Sequence, residues 1–218
     1  SSALVISARE RGVNASGGLY MLVSQAAYAV EKFTGGSITP DKTEEVYRGI
    51  LRDKKNIVLI GMPGCGKTTI GKILADELNK DFTDTDDEII KRINMPIADY
   101  FAKHGEESFR RVESEVIKEI SACQSSVIAT GGGAVLNPDN IRLLKENGTV
   151  IFIDRPLEKL VTTANRPLSS SREQLEKRYK ERYGLYCAAA DVKIDAVSRI
   201  EQNVKNIEEV FLNENTCN

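Results

Sequence analysis

The sequence predicts an α/β fold: a five-stranded parallel sheet flanked by helices, with an N-terminal helical extension. Three observations predict it. Five short apolar runs, at 56–60, 82–85, 126–130, 149–153 and 191–195, alternate with helix-like stretches, the signature of a parallel sheet covered on both faces. The first run passes through a glycine-rich turn, Gly61 to Thr69, straight into the helix-like Ile70 to Leu78. The chain has 218 residues and is 41% hydrophobic, enough for one full domain and an appendage.

The extension is read over 1–53 and the main domain over 54–218. Leu19, Leu22, Val23, Ala26, Ala27 and Val30 form one apolar helical face. Gly35-Gly36 ends that helix, and Pro40, with Asp41 and Glu44 behind it, opens the next. The last helix carries Ile200, Val204, Ile207 and Phe211 on one face and starts at a capping box, Ser198 to Glu201. In open parallel sheets, ligands bind at the carboxyl ends of the strands. That rule gathers the loops at 61–68, 84–86 and 131–133 and the segment after 153.

Composition excludes several classes. A net charge of −2 argues against a nucleic-acid binder. No basic run suits a membrane surface, no stretch approaches the ~18 apolar residues of a spanning helix, and no signal peptide is visible. Cys65, Cys123, Cys187 and Cys217 are scattered and read as free thiols in a reducing cytoplasm. His104 is the single histidine, which argues against a histidine metal site or a Ser-His-Asp triad.

The run Gly61 to Thr69 fits G-x-x-x-x-G-K-[ST] between a strand and a helix, the phosphate-binding loop of P-loop NTPases. Its backbone N–H groups and the helix N-terminus cradle an anion. Gly64, Cys65, Gly66, Lys67, Thr68 and Thr69 are the expected nucleoside-triphosphate-binding residues. Lys67 lies along the β- and γ-phosphates, and the Thr68 hydroxyl reaches Mg²⁺. Asp84 and Asp86, at the end of the second strand, supply two carboxylates. One suits Mg²⁺ through water and the other an attacking hydroxyl; the plain alternative is an acidic helix cap. Gly105 to Glu113 precedes a helix on which Arg110 and Glu113 can pair, aiming a guanidinium at a second anion. Thr130-Gly131-Gly132-Gly133 strips side chains from the wall, so that backbone N–H groups approach a small polyol or phosphate. Arg166, in the loop Asn165 to Ser171, is placed to close over phosphates. Arg182 offers a further guanidinium.

Together these motifs resemble shikimate kinase. The order carries the resemblance: the phosphate loop, Asp84 to Ile89, Gly105 to Glu113, Thr130 to Gly133, Arg166 to Leu168, then Arg182 to Tyr186. It covers about residues 54–213. It implies a sheet of nucleoside-monophosphate-kinase type and transfer of phosphate from ATP to the 3-hydroxyl of shikimate, in the route to chorismate and aromatic amino acids. It implies Thr68 as the Mg²⁺ ligand with Asp84 in the outer shell, and Asp86 as holder of the ring hydroxyls and candidate base. Arg110 and Arg182 would bind the carboxylate with Glu113 bracing Arg110, Gly131, Gly132 and Gly133 would lie on the substrate side, and Arg166 would be the lid arginine. The chain departs from the family at three places: the lid is short after the helix expected near Leu160, Thr162 and Thr163 stand where an adenine arginine is expected, and Gly184 replaces a proline in the turn that aims Arg182. Residues 18–35 resemble the C-terminal tail of shikimate dehydrogenase, with Gln25 at the shikimate-contacting position. This suggests a piece of a dehydrogenase–kinase fusion, with a dehydrogenase domain on the same full-length polypeptide. The competing readings are a gluconate-type or nucleoside-monophosphate kinase and a non-catalytic nucleotide-binding regulatory module.

Overall fold

A computed structural model describes residues 3–13, 15, 17–160, 172–197 and 199–214. It divides into two compact units, Asn56–Phe211 and Ser1–Lys55 with Leu212–Asn218.

In the larger unit, five parallel strands lie in the order β2-β3-β1-β4-β5. They are β1 (Asn56–Ile60), β2 (Asp81–Asp84), β3 (Ser126–Ala129), β4 (Gly148–Asp154) and β5 (Val192–Asp195). Each matches a predicted run, with ends shifted by one residue at most sites. The shift at β2 matters, because Thr85 belongs to the following helix rather than to the strand. The central strand is β1, flanked by β3 and β4, and all five of its residues are buried. A continuous apolar run is what a strand covered on both faces requires. Asn56, at its start, is buried yet satisfied: it donates to Cys123 O at 2.7 Å and accepts from Ser126 N at 2.9 Å, tying β1 to β3.

Helices α4 (Lys67–Leu78), α5 (Thr85–Ile93), α6 (Ile97–Ser121), α7 (Pro138–Asn147), α8 (Arg172–Ala189) and α9 (Ile200–Glu214) cover the sheet and its ends. Tyr186 of α8 is buried and stacks on Phe152 of β4, ring centroids 5.1 Å apart. Helices α5 and α6 hold a separate small core of Ile89, Phe109 and Val116, with Ile93, Tyr100, Phe101 and Val112 around it. The motif from Gly105 does not precede a helix. It lies within α6, and Gly105 (φ 77°, ψ 173°) is the kink that joins its two halves. No turn stands at Gly184 either: α8 continues through it, so Arg182 is aimed by a helix. The stretch before Leu160 is one 3₁₀ turn, Leu157–Lys159, shorter than the helix expected there.

The smaller unit contains α1 (Ala3–Glu10), α2 (Leu19–Thr34) and α3 (Pro40–Lys54). Gly35, at φ 68°, closes α2, and Thr39 caps α3 by accepting from Lys42 N. Tyr20 and Tyr47 meet edge to face at 5.2 Å. Of the predicted apolar face of α2, Val23 is buried, whereas Leu22 and Val30 are exposed. Among the described residues, no helix is long and apolar enough to cross a membrane.

Candidate active site

The phosphate loop joins β1 to α4. Gly64 (φ 81°) and Gly66 (φ 106°) take left-handed backbone that side-chain-bearing residues rarely adopt. Such alternation turns successive N–H groups toward one side, and Gly66 stands at the N-terminus of α4, where the helix dipole is positive. Lys67 is buried, and its ammonium donates to Gly61 O at 2.8 Å and Met62 O at 3.0 Å. Cys65 is fully buried beside it, Sγ to Nζ 3.7 Å, as a small packing residue would be. Thr68 Oγ1 donates to Asp84 Oδ2 at 2.7 Å.

Asp84 fills the helix-cap reading of the sequence. It is the N-cap of α5, accepting from Asp86 N through Oδ1 at 3.0 Å, while Oδ2 faces the phosphate loop. From α6, Arg110 donates to Glu113 at 2.6 Å and to Glu106 at 3.1 Å. Burial works against the Arg110 charge, but the two glutamates outweigh it and hold the guanidinium more firmly protonated than usual. Burial pushes the Glu113 carboxyl up. Arg110 opposes that rise, Asp86 adds to it and Arg182 opposes it. These four groups therefore share one electrostatic environment.

The glycine triplet explains how they meet. A Cβ on Gly131 would lie 2.6 Å from Asp86 Oδ1 and 3.3 Å from Glu113 Oε1, and one on Gly133 would collide with the Arg110 guanidinium. Arg182 Nη1 donates to Gly132 O at 2.9 Å, and the Tyr186 hydroxyl donates to the same oxygen at 2.6 Å. The sequence reading has backbone N–H groups of the triplet approaching a small polyol or phosphate. The Gly131 N–H is taken by Thr85 Oγ1 at 2.7 Å; charged side chains fill the volume a side chain on Gly131 or Gly133 would occupy, and Pro63 fills it at Gly132.

A cleft of about 500 Å³ opens between these parts. Its walls are Gly64 and Gly66 to Ile70 of the loop and helix, Asp84, Asp86, Thr130 and Gly132 on one side, and Arg155, Ile200 and Asn203 on the other. Arg166 and the rest of Asn165 to Ser171, with Thr162, Thr163, Leu168, Ser198 and Cys217, lie outside the described residues. Cys123 and Cys187 are free and exposed.

Residues 63–211 match the family model described as shikimate kinase. A shikimate kinase of Clostridium botulinum strain Eklund 17B is 44% identical over 164 residues, spanning 73% of this chain and 99% of its own. The chain belongs to the shikimate kinase family. Solved structures of the family share its fold. The shikimate kinase from Acinetobacter baumannii, solved in complex with shikimate, has a TM-score of 0.72 and 31% identity over 77% of this chain and 98% of that one. The Aquifex aeolicus shikimate kinase has a TM-score of 0.65 and 36% identity over 74% of this chain and 98% of that one. The five-stranded parallel sheet is the one this family carries, and the chain is a phosphotransferase. Two residues of this shikimate kinase domain escaped individual notice in the sequence. Tyr186 closes the last motif, but nothing in the sequence traces its hydroxyl to Gly132. Arg155 stands immediately after β4, in a segment the strand-end rule flagged without singling out any side chain.

Proposed function

We propose that this chain transfers the γ-phosphoryl group of ATP to the 3-hydroxyl of shikimate, giving shikimate 3-phosphate. One observation carries the reading. Asp86, Arg110, Glu113 and Arg182, drawn from three separate helices, converge on the Gly131–Gly133 turn beside the phosphate loop. Two guanidiniums and two carboxylates around a wall without side chains suit a small polyhydroxy acid. Arg110 and Arg182 take its carboxylate, and Glu113 keeps the first of them in place. Asp86 holds ring hydroxyls and accepts the proton of the attacking one. Lys67 turns from its loop carbonyls to the β- and γ-phosphates, and Gly64, Cys65, Gly66, Thr68 and Thr69 complete the cradle. Arg166 serves as the lid arginine. In phosphoryl transfer of this kind, positioning and charge neutralisation supply most of the acceleration.

Mg²⁺ fits the residues present. The Thr68 hydroxyl and an Asp84 carboxylate oxygen stand 2.7 Å apart at the mouth of the cradle, a pair of hard oxygen donors of the type Mg²⁺ takes, with phosphate oxygens and waters completing its shell. When bound, the ion would neutralise charge on the β- and γ-phosphates.

Residues 1–53 are read as the tail of a shikimate dehydrogenase, joined in the full-length polypeptide to its dehydrogenase domain. What supports this is the resemblance of residues 18–35 and the separate compact unit formed by the N-terminal helices. This chain alone should give no shikimate-dependent NADP reduction. The working location is the cytoplasm, where ATP is supplied and exposed thiols such as Cys123 and Cys187 stay reduced.

The deciding test is ADP release measured with shikimate, gluconate and AMP as acceptors. Release with shikimate alone is the expected result. A preference for gluconate or AMP would replace the acceptor, and no release with any of them would favour a binding module.

A further inference from the structure

Among the described residues, Arg155 is the one cation on the cleft wall that the reaction as described leaves without a task. It follows the last residue of β4, and its side chain lines the cleft with Ile200 and Asn203, opposite Asp86 and Gly132. Its Nε is fully buried and has no hydrogen-bond partner. Among the described residues no carboxylate pairs with it. The adjacent Asp154 is already engaged, by Lys193 at 2.9 Å and by the Tyr183 hydroxyl at 3.0 Å. Buried donors are almost always satisfied, so an orphan on a ligand cleft points to a ligand.

The position says which ligand. A Cβ on Gly66 would lie 3.8 Å from Arg155 Nη1, so the guanidinium sits against the turn that opens α4. Sheet order separates the two substrates: Asp86 and the glycine turn follow β2 and β3 on one side of β1, whereas Arg155 follows β4 on the other. A guanidinium there faces the anion cradle rather than the acceptor acid. Arginine is well matched to phosphate, offering a planar fork of donors and a permanent charge.

We propose that Arg155 is a nucleotide-binding residue whose guanidinium engages the polyphosphate of ATP from the β4 side of the loop. It is a fixed counterpart, built into the sheet, to any arginine delivered by the lid. The inference rests on the kinase reading for its substrate, but its test does not require turnover.

Calorimetric titration with ADP, and with adenosine in competition, should be run on the wild-type chain, Arg155→Met and Arg155→Lys, with melting temperatures checked in parallel. Loss of a charge-assisted contact predicts a fall of about ten- to a hundredfold in ADP affinity for Arg155→Met. Arg155→Lys should recover part of it, and adenosine affinity should stay unchanged. ADP affinity within twofold of wild type in Arg155→Met would overturn the proposal. An equal loss for adenosine would also overturn it, since the contact would then be to the base or merely structural. If the ADP results are as expected but shikimate is not phosphorylated by the wild-type chain, the acceptor assignment fails and the role of Arg155 stands.

Discussion

At the scale of single residues, Asp86 and Glu113 are carboxylates with opposite tasks. Asp86 stands at the start of α5 against Gly131. Asp86→Asn keeps the shape and removes the proposed base, so kcat should fall by about a hundredfold or more while ADP affinity, read by calorimetry, stays near wild type. Glu113 is buried and braces Arg110. Burial raises its pKa, so the folded state holds its proton more tightly than the unfolded chain does. The corresponding stability is present below the ordinary glutamate range and is lost as pH rises through the raised value. Function runs the other way, because protonation releases Arg110. The KM for shikimate should therefore climb as pH falls through that value, and Glu113→Gln should flatten this limb of the profile. The residue types at the site were legible because motif spacing constrains them. The reason for the glycines was not: only coordinates could reveal that Asp86 and Arg110 occupy the places of the missing side chains.

At the scale of elements, α5 and α6 form a lever for the acceptor. They carry Asp86, Arg110 and Glu113, and they share a small apolar core apart from the one under the sheet. Phe109 is buried at its centre, with its ring 4.4 Å from that of Phe101. Phe109→Ala should cost ~3–5 kcal/mol of stability. Shikimate KM should suffer more than ATP KM, measured on the fraction that remains folded. The strands were legible because a fully buried parallel strand reads as a continuous apolar run, as 56–60 does. The helix boundaries were less so. Gly105 and Gly184 both look like interruptions in sequence, yet the first kinks a helix that continues and the second lies inside one, because packing of the flanking turns overrides local propensity.

At the scale of the whole molecule, the kinase unit begins at Asn56, and every site residue named above lies within it or in the undescribed segment that it contains. A chain of residues 54–218 should keep kcat/KM for both substrates within about twofold of the 218-residue chain, the range expected when distant parts do not couple. A larger loss would show that the N-terminal helices act on catalysis. One small feature joins the two halves of the kinase unit itself. Asp84 grips Thr68 with one oxygen and the first turn of α5 with the other. The nucleotide loop and the helix that carries Asp86 are thus tied through one carboxylate. For any coupling this tie carries, thermodynamic reciprocity requires ATP analogues to change shikimate affinity by the same factor as shikimate changes theirs. Asp84→Asn should drive that shared factor toward one in paired calorimetric titrations, leaving two sites that no longer sense each other.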